Sequence, residues 1–245
     1  MGTCNIKRRS MTKVVSQFPL GRYPSPFDPR DFNLAAFKPK LTITTVTERE
    51  WAFNSLPLNQ EATNHCVGFS GADFGINDPI QDNYTDADGH RFYYMCKVFD
   101  GDPTGEMGSN IRSIAKTLRQ EGRIDAYAFA SDMATIKYWL LNRGPLIVGT
   151  IWTDAMFNPD ANGVIEVGGT VVGGHAYVLN KWTKDNFIRI QNSWGLNWGI
   201  NGQGYISAAN FEKIFRYGGE AVTAVELPLA TTGESKRSCL FPFFK

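Results

Sequence analysis

Gln191-Asn192-Ser193-Trp194-Gly195-Leu196-Asn197-Trp198-Gly199 closes a short β-rich run, Phe187 to Gln191, and sets a side-chain amide beside a bulky indole. An asparagine carbonyl in that position can hold an imidazole in one tautomer while the indole keeps water away. Upstream, Val171-Val172-Gly173-Gly174-His175-Ala176-Tyr177-Val178 places a histidine after small residues and ahead of an apolar strand. A side chain there projects from rigid backbone into a cleft.

The nucleophile that such a pair would serve lies further back. Asn64 reads as the N-cap of a helix running from about His65 into Gly75, with Cys66 in its first turn. A thiol attacks a carbonyl efficiently only as a thiolate, which a helix N-terminus and a nearby imidazolium both favour. The chain has three histidines. His65 adjoins Cys66, and consecutive helical side chains point about 100° apart, so its ring faces away from the thiol. His90, after Asp88-Gly89, reads as an exposed turn residue. His175 is left as the base, and a thiolate paired with it is expected to alkylate at acid pH.

Asn192-Ser193-Trp194-Gly195, followed by Trp198-Gly199 and Gly202-x-Gly204-Tyr205-Ile206, resembles the asparagine-tryptophan block of papain-like cysteine peptidases. Gly174-His175-Ala176 resembles the histidine block of that family. Gln60 stands six residues before Cys66, as the family's oxyanion glutamine stands before its nucleophile. In weaker form the resemblance runs from about Asp28-Pro29-Arg30-Asp31, which looks like the start of a mature enzyme, to about Ile206.

The resemblance implies an α+β fold of two lobes, one mostly helical and carrying Cys66, the other β-barrel-like and carrying His175 and Asn192, with the active-site cleft between them. It implies a peptidase working through a thioester, with Gln60 and the Cys66 backbone N–H as the oxyanion hole and Trp194 shielding the His175–Asn192 pair. Gly105, Gly108, Gly174 and Trp198 are carried over as substrate-binding positions; Glu106 and Met107 lie inside the glycine stretch. Two other readings use the same blocks: an inactive papain-like binding, virion or scaffold protein, and an acyl transferase. Endopeptidase and exopeptidase modes stay open.

This chain departs from the family's local signature, with Thr63 and Val67 where a second cysteine and an aromatic are usual. Cys-Val-Gly-Phe resembles a disulfide-poor bacterial and phage-like branch. His175 follows Cys66 by 109 residues and Asn192 by 126, against a family range of about 130–150, so loops are expected to be trimmed. The 65 residues ahead of Cys66 include the mature-like start, and a full inhibitory propeptide is not expected among them.

Bulk properties fit this reading without specifying it. Lys and Arg number 25 against 24 Asp and Glu, so no global field attracts nucleic acid or anionic lipid. The longest apolar runs, such as Gly144 to Ile151, fall far short of the ~20 residues that span a bilayer. Arg8-Arg9 lacks a following apolar region, and Met1-Gly2 lacks the hydroxyl residue of a myristoylation motif, since residue six is Ile6. Cys4, Cys66, Cys96 and Cys239 form neither a disulfide framework nor a C-x-x-C zinc site, so no metal or cofactor is expected and a reducing, cytoplasmic address fits. A virion-associated location is the other address considered. Asp82, Asp86 and Asp88 before Gly89 superficially suggest a calcium loop, but the register puts Tyr84 and Met95 at its first and last ligand positions. A turn is expected there.

The proline-rich residues 1–47 read as an arm strapped over the body, 48–125 as the mainly helical lobe, 126–228 as the mainly β lobe and 229–245 as a tail. Two further helices are expected after the caps Ser109-Asn110 and Ser131-Asp132, and strands over Leu146 to Trp152 and Thr170 to Leu179. Gly68, Gly71 and Gly75 each weaken the Cys66 helix by roughly 0.5–1 kcal/mol relative to alanine, which demands a buried helix in close packing. The partner expected from the blocks is a protein or peptide substrate; oligomeric state is left open.

Overall fold

The computed structural model describes residues 18–37, 46–102, 104–105 and 108–225. Met1-Gly2, Arg8-Arg9, Cys4, Cys239, Glu106, Met107 and the tail 229–245 lie outside the described residues.

The architecture is a helical half packed against an antiparallel sheet that carries helices of its own. Helix α1 (Cys66–Ile76) is buried along its whole length, as a helix apolar on every side must be. Its N-cap is His65, one residue later than the expected Asn64, and no side chain caps it. The glycines have the packing role expected of them: a Cβ on Gly68 would stand 2.4 Å from the backbone of Gly89 and of Tyr93, and one on Gly71 would stand 2.2 Å from Ile114. Bare backbone therefore lets two neighbouring helices approach α1 closely.

Those neighbours are α2 (Asp86–Asp100) and α3 (Ile111–Gln120). The turn expected around Asp82, Asp86, Asp88 and His90 is instead largely helix α2. Thr85 and Asp88 form a capping box, Asp86 accepts the Asn59 N–H, and Asp82 pairs with Arg123. Gly89, read as a turn signal, sits within α2 because its missing side chain leaves room for the Phe69 ring. In α3, Asn110 accepts the Ser113 N–H as a cap should.

Among the described residues seven strands make the sheet: β1 (Arg49–Glu50), β2 (Tyr127–Ala130), β3 (Leu146–Thr153), β4 (Val171–Trp182), β5 (Phe187–Gln191), β6 (Gln203–Ser207) and β7 (Glu220–Ala224). Their order is β2-β7-β3-β4-β5-β6, all antiparallel, with β1 also paired to β4. Strand alternation divides the interior. Ile147, Ala176, Val178 and Val222 face the core built around α1, α2 and α3. Val148, Tyr177, Leu179 and Ala221 face a second core shared with α4 (Met133–Asn142), capped by Asp132, and α5 (Ala208–Phe215). Both faces of the central strands are thus buried, which is why their sequences read as apolar runs. Among the described residues no helix is long and apolar enough to cross a membrane.

Candidate active site

Cys66 is the first residue of α1, where the helix dipole favours a thiolate. Backbone groups of Ala176 on β4, of Gly21 in the N-terminal segment and of Val67 act on its thiol, each favouring the thiolate. Helix and sheet therefore meet at the thiol, since Ala176 directly follows His175.

His175 Nε2 lies 2.8 Å from Asn192 Oδ1. The same oxygen accepts the Ser193 backbone N–H at 2.9 Å, which identifies it as the carbonyl end of the amide. The proton in the His175 contact must then be on Nε2, and Nδ1 carries the lone pair. Nδ1 is buried and has no hydrogen-bond partner. The ring is fixed by aromatic neighbours: Trp194 stacks on it at 4.5 Å between centroids and Trp152 meets it edge-on at 4.9 Å.

Gln60 is held as firmly. Its Oε1 accepts the Ser193 hydroxyl at 2.8 Å, so its NH2 faces the other way, donating to Thr63 O at 2.7 Å and to Pro19 O at 3.1 Å. Sequence reading passed over Ser193, the link between Gln60 and Asn192, because its hydroxyl partner lies 133 residues away.

Residues 18–25 run across these groups as an extended strap. Phe18 stacks on Trp194 with centroids 4.6 Å apart. Gly21 packs so tightly that a Cβ there would stand 1.8 Å from Asn64 O. Ser109 N–H donates to Gly21 O at 2.8 Å, Tyr23 N–H donates to Ser109 O at 3.0 Å, and Arg22 N–H donates to Gly174 O at 3.0 Å. Arg22 forms an ion pair with Glu220 and donates to Gly218 O at 2.8 Å. Beneath the strap Cys66, His175, Asn192 and Gln60 are all fully buried.

Of the glycines carried over as substrate-binding positions, Gly108 and Gly174 face the strap: a Cβ on either would stand 2.1–2.2 Å from a strap carbonyl oxygen. Gly105 is turned elsewhere, its carbonyl taking the Tyr93 hydroxyl. Trp198 is buried against Trp194 and donates its indole N–H to Phe157 O. His65 and His90 meet each other through their Nδ1 atoms at 2.7 Å, and His65 stacks on Tyr93. His90 is thus a helix residue joined to the start of α1, and not an isolated turn histidine.

Burial dominates the electrostatics. It pushes the Cys66 thiol up to about 11, against the backbone N–H groups that favour the thiolate. It pushes the His175 imidazole down to about 4, with the Asn192 bond opposing it. Loss of water thus favours the neutral form of each group in this closed arrangement, acting against the ion pair expected from the sequence. Among the described residues no cluster of three or more His, Cys, Asp or Glu could hold a metal.

The family model described as "Papain family cysteine protease" matches residues 73–221, more than half of the chain. The chain belongs to the papain family of cysteine proteases. The matched region of this papain-family chain contains His175 and Asn192 and begins after Gln60 and Cys66. A curated relative, cathepsin B-like cysteine proteinase 6 of Caenorhabditis elegans, is 32% identical over 80 residues, which span 31% of this chain and about a fifth (21%) of that protein. Xylellain, a cysteine protease from Xylella fastidiosa, superposes with a TM-score of 0.63 at 17% identity, covering 79% of this chain and 91% of that one. Procathepsin B S9 from Trypanosoma congolense gives 0.59 at 13% identity, covering 84% and 85%. Bromelain from Ananas comosus, solved with the E64 inhibitor, gives 0.55 at 14% identity, covering 72% and 97%. At these identities the likeness is one of fold.

Proposed function

We propose that this papain-family chain is a peptidase in which Cys66 is the nucleophile, His175 the general base, Asn192 the group that orients the imidazole, and Gln60 with the Cys66 backbone N–H the oxyanion hole. The observation that carries this reading is the His175 ring, with its Nε2 proton committed to Asn192 Oδ1 at 2.8 Å and a bare, buried Nδ1 left over. A lone pair fixed in that way, on the residue next to Ala176, whose backbone favours the Cys66 thiolate, suits the removal of a thiol proton.

In the reaction, Nδ1 takes the thiol proton as the sulfur bonds to a peptide carbonyl carbon, and the carbonyl oxygen gains negative charge between the Gln60 amide and the Cys66 N–H. The C–N bond then breaks, and the imidazolium gives its proton to the departing amine. Water, deprotonated by the same nitrogen, adds to the thioester and releases the acid and the thiol. Trp194 covers the His175–Asn192 bond from solvent.

Test this in the Gly21→Ala chain, whose added methyl must displace the strap. A random peptide library should be cleaved, with activity lost in Cys66→Ala and lowered about 10²–10³-fold in Gln60→Ala. Cleavage that survives Cys66→Ala would sink the reading. Products joined to an added amine in place of hydrolysed ones would indicate acyl transfer.

A further inference from the structure

Helix α2 ends in a buried ion pair that the triad does not use. The Lys97 and Asp100 side chains are 4% and 2% exposed, with Nζ 3.3 Å from Oδ2, and Asp102 meets the same ammonium at 2.7 Å. Two charges taken out of water can cost more than their attraction returns unless further hydrogen bonds complete them. The stretch 108–110 supplies such bonds. Lys97 Nζ donates to Gly108 O. Asp100 accepts the Ser109 hydroxyl and the Asn110 side-chain amide, each at 2.8 Å, and the Ser113 hydroxyl at 2.6 Å. Three consecutive residues are thus tied to one ion pair, and Ser109 and Asn110 are buried with it.

These ties turn the side chains of the stretch toward α2 and leave backbone on its other side. Gly108 has a left-handed φ of +70° and no side chain to anchor, so its carbonyl is what ties it to Lys97. With the Ser109 hydroxyl on Asp100, the Ser109 N–H and C=O are left for an extended chain: Gly21 O takes the first at 2.8 Å and the Tyr23 N–H takes the second at 3.0 Å. Gly21 backbone also acts on the Cys66 thiol, so this edge stands one residue away from the nucleophile. Helix α2 gives the region one more tie, from the Tyr93 hydroxyl to Gly105 O at 2.7 Å.

We infer that Lys97 and Asp100 are positioning residues for the reaction: their buried ion pair sets the plane and distance of the Ser109 backbone edge at which a peptide is bonded beside Cys66. Neither side chain touches the thiol or the peptide; both act through Gly108, Ser109 and Asn110. The inference rests on the peptidase reading. Backbone hydrogen bonds weaken steeply when misaligned. Bonds made along a peptide away from the carbonyl under attack change little between ground state and transition state, so loosening the edge raises KM and spares kcat.

The test takes the full Gly21→Ala chain as parent and adds either Ser109→Ala or the paired change Lys97→Met with Asp100→Asn. Neutralising both partners together avoids the lone buried charge that a single change would leave between them, and Ser109→Ala removes one bond without touching either charge. On one peptide amide, KM should rise about ten-fold in the paired variant and about three-fold in Ser109→Ala, with kcat within about two-fold of the parent. p-Nitrophenyl acetate has no peptide backbone to lay on the edge, and all three chains should turn it over within about two-fold of one another. An unchanged KM in both variants, each shown to be folded by a cooperative melting transition, overturns the inference. So does an equal fall on both substrates, which is what loss of folded protein alone would give. If the parent cleaves no peptide, the peptidase reading fails and takes this inference with it.

Discussion

Gln60 and Ser193 are joined twice: the Ser193 hydroxyl donates to Gln60 Oε1 at 2.8 Å, and the Gln60 backbone N–H donates to Ser193 O at 2.8 Å. The first bond fixes the Gln60 oxygen on Ser193, so the NH2 faces the Thr63 and Pro19 carbonyls. Without it the amide keeps the Thr63 carbonyl as a partner but loses the bond that holds its oxygen, so its NH2 is less firmly aimed. In the strap-displaced chain, Ser193→Ala should therefore lower kcat by about 10-fold, less than loss of the donor itself, with KM little changed. Ser193→Thr should restore most of the loss, and steady-state kinetics on one peptide amide check both outcomes.

Acid should weaken the fold through its buried histidines. His175 is held near pKa 4 and His65 near 4, both by burial first, with His90 adding repulsion at His65. Each folded value lies below the unfolded 6.5, so the unfolded chain binds these protons first. The stabilisation is complete above about pH 6.5 and is lost as pH falls toward 4. For the fully buried His175 the loss is at most about 3 kcal/mol. Urea denaturation at pH 7, 6, 5 and 4 should show the decline, with a shallower slope in His175→Gln.

Asp73 behaves in the opposite sense. It is fully buried on α1, burial raises its carboxyl well above the usual range against the Gln191 hydrogen bond that lowers it, and its Oδ2 has no partner. The folded chain holds the proton that the unfolded chain releases, so its contribution is full below about pH 3.8 and is lost as pH rises through the folded value. Asp73→Asn should gain stability relative to wild type between pH 4 and pH 7. A gain that shrinks over that interval would contradict a protonated Asp73.

Gly68 tests the closeness of α1 and α2. An added methyl would stand 2.4 Å from backbone atoms of Gly89 and Tyr93, and backbone cannot rotate aside as a side chain can. Gly68→Ala should destabilise by about 1–3 kcal/mol, the range of overpacked cores, outweighing the helix propensity it gains. Thermal denaturation gives the sign directly.

Much of this was legible in the sequence because it rested on local chemistry. Asn110 and Asp132 announced α3 and α4, the Phe187 to Gln191 run matches β5, and the blocks around Cys66, His175 and Asn192 identified the family. Helix α2 was missed because Asp86, Asp88 and Gly89 carry the same signals as a turn; only the Thr85–Asp88 capping box and the Phe69 ring against Gly89 distinguish the two. Glu220 was missed for another reason: its partner Arg22 stands 198 residues away, and one chain shows no covariation. The path of the strap is written mostly in backbone hydrogen bonds, which leave little trace in residue identity.

The strap and the thiol it covers belong to the same polypeptide. A separate inhibitor with these contacts would dissociate on dilution, whereas a tethered one returns to its groove at an effective concentration on the order of millimolar, whatever the protein concentration. Its hold is therefore a unimolecular equilibrium. Diluting the protein leaves Cys66 as covered as before, and exposing it takes a cut in residues 18–25 or their displacement from Ser109 and Gly174.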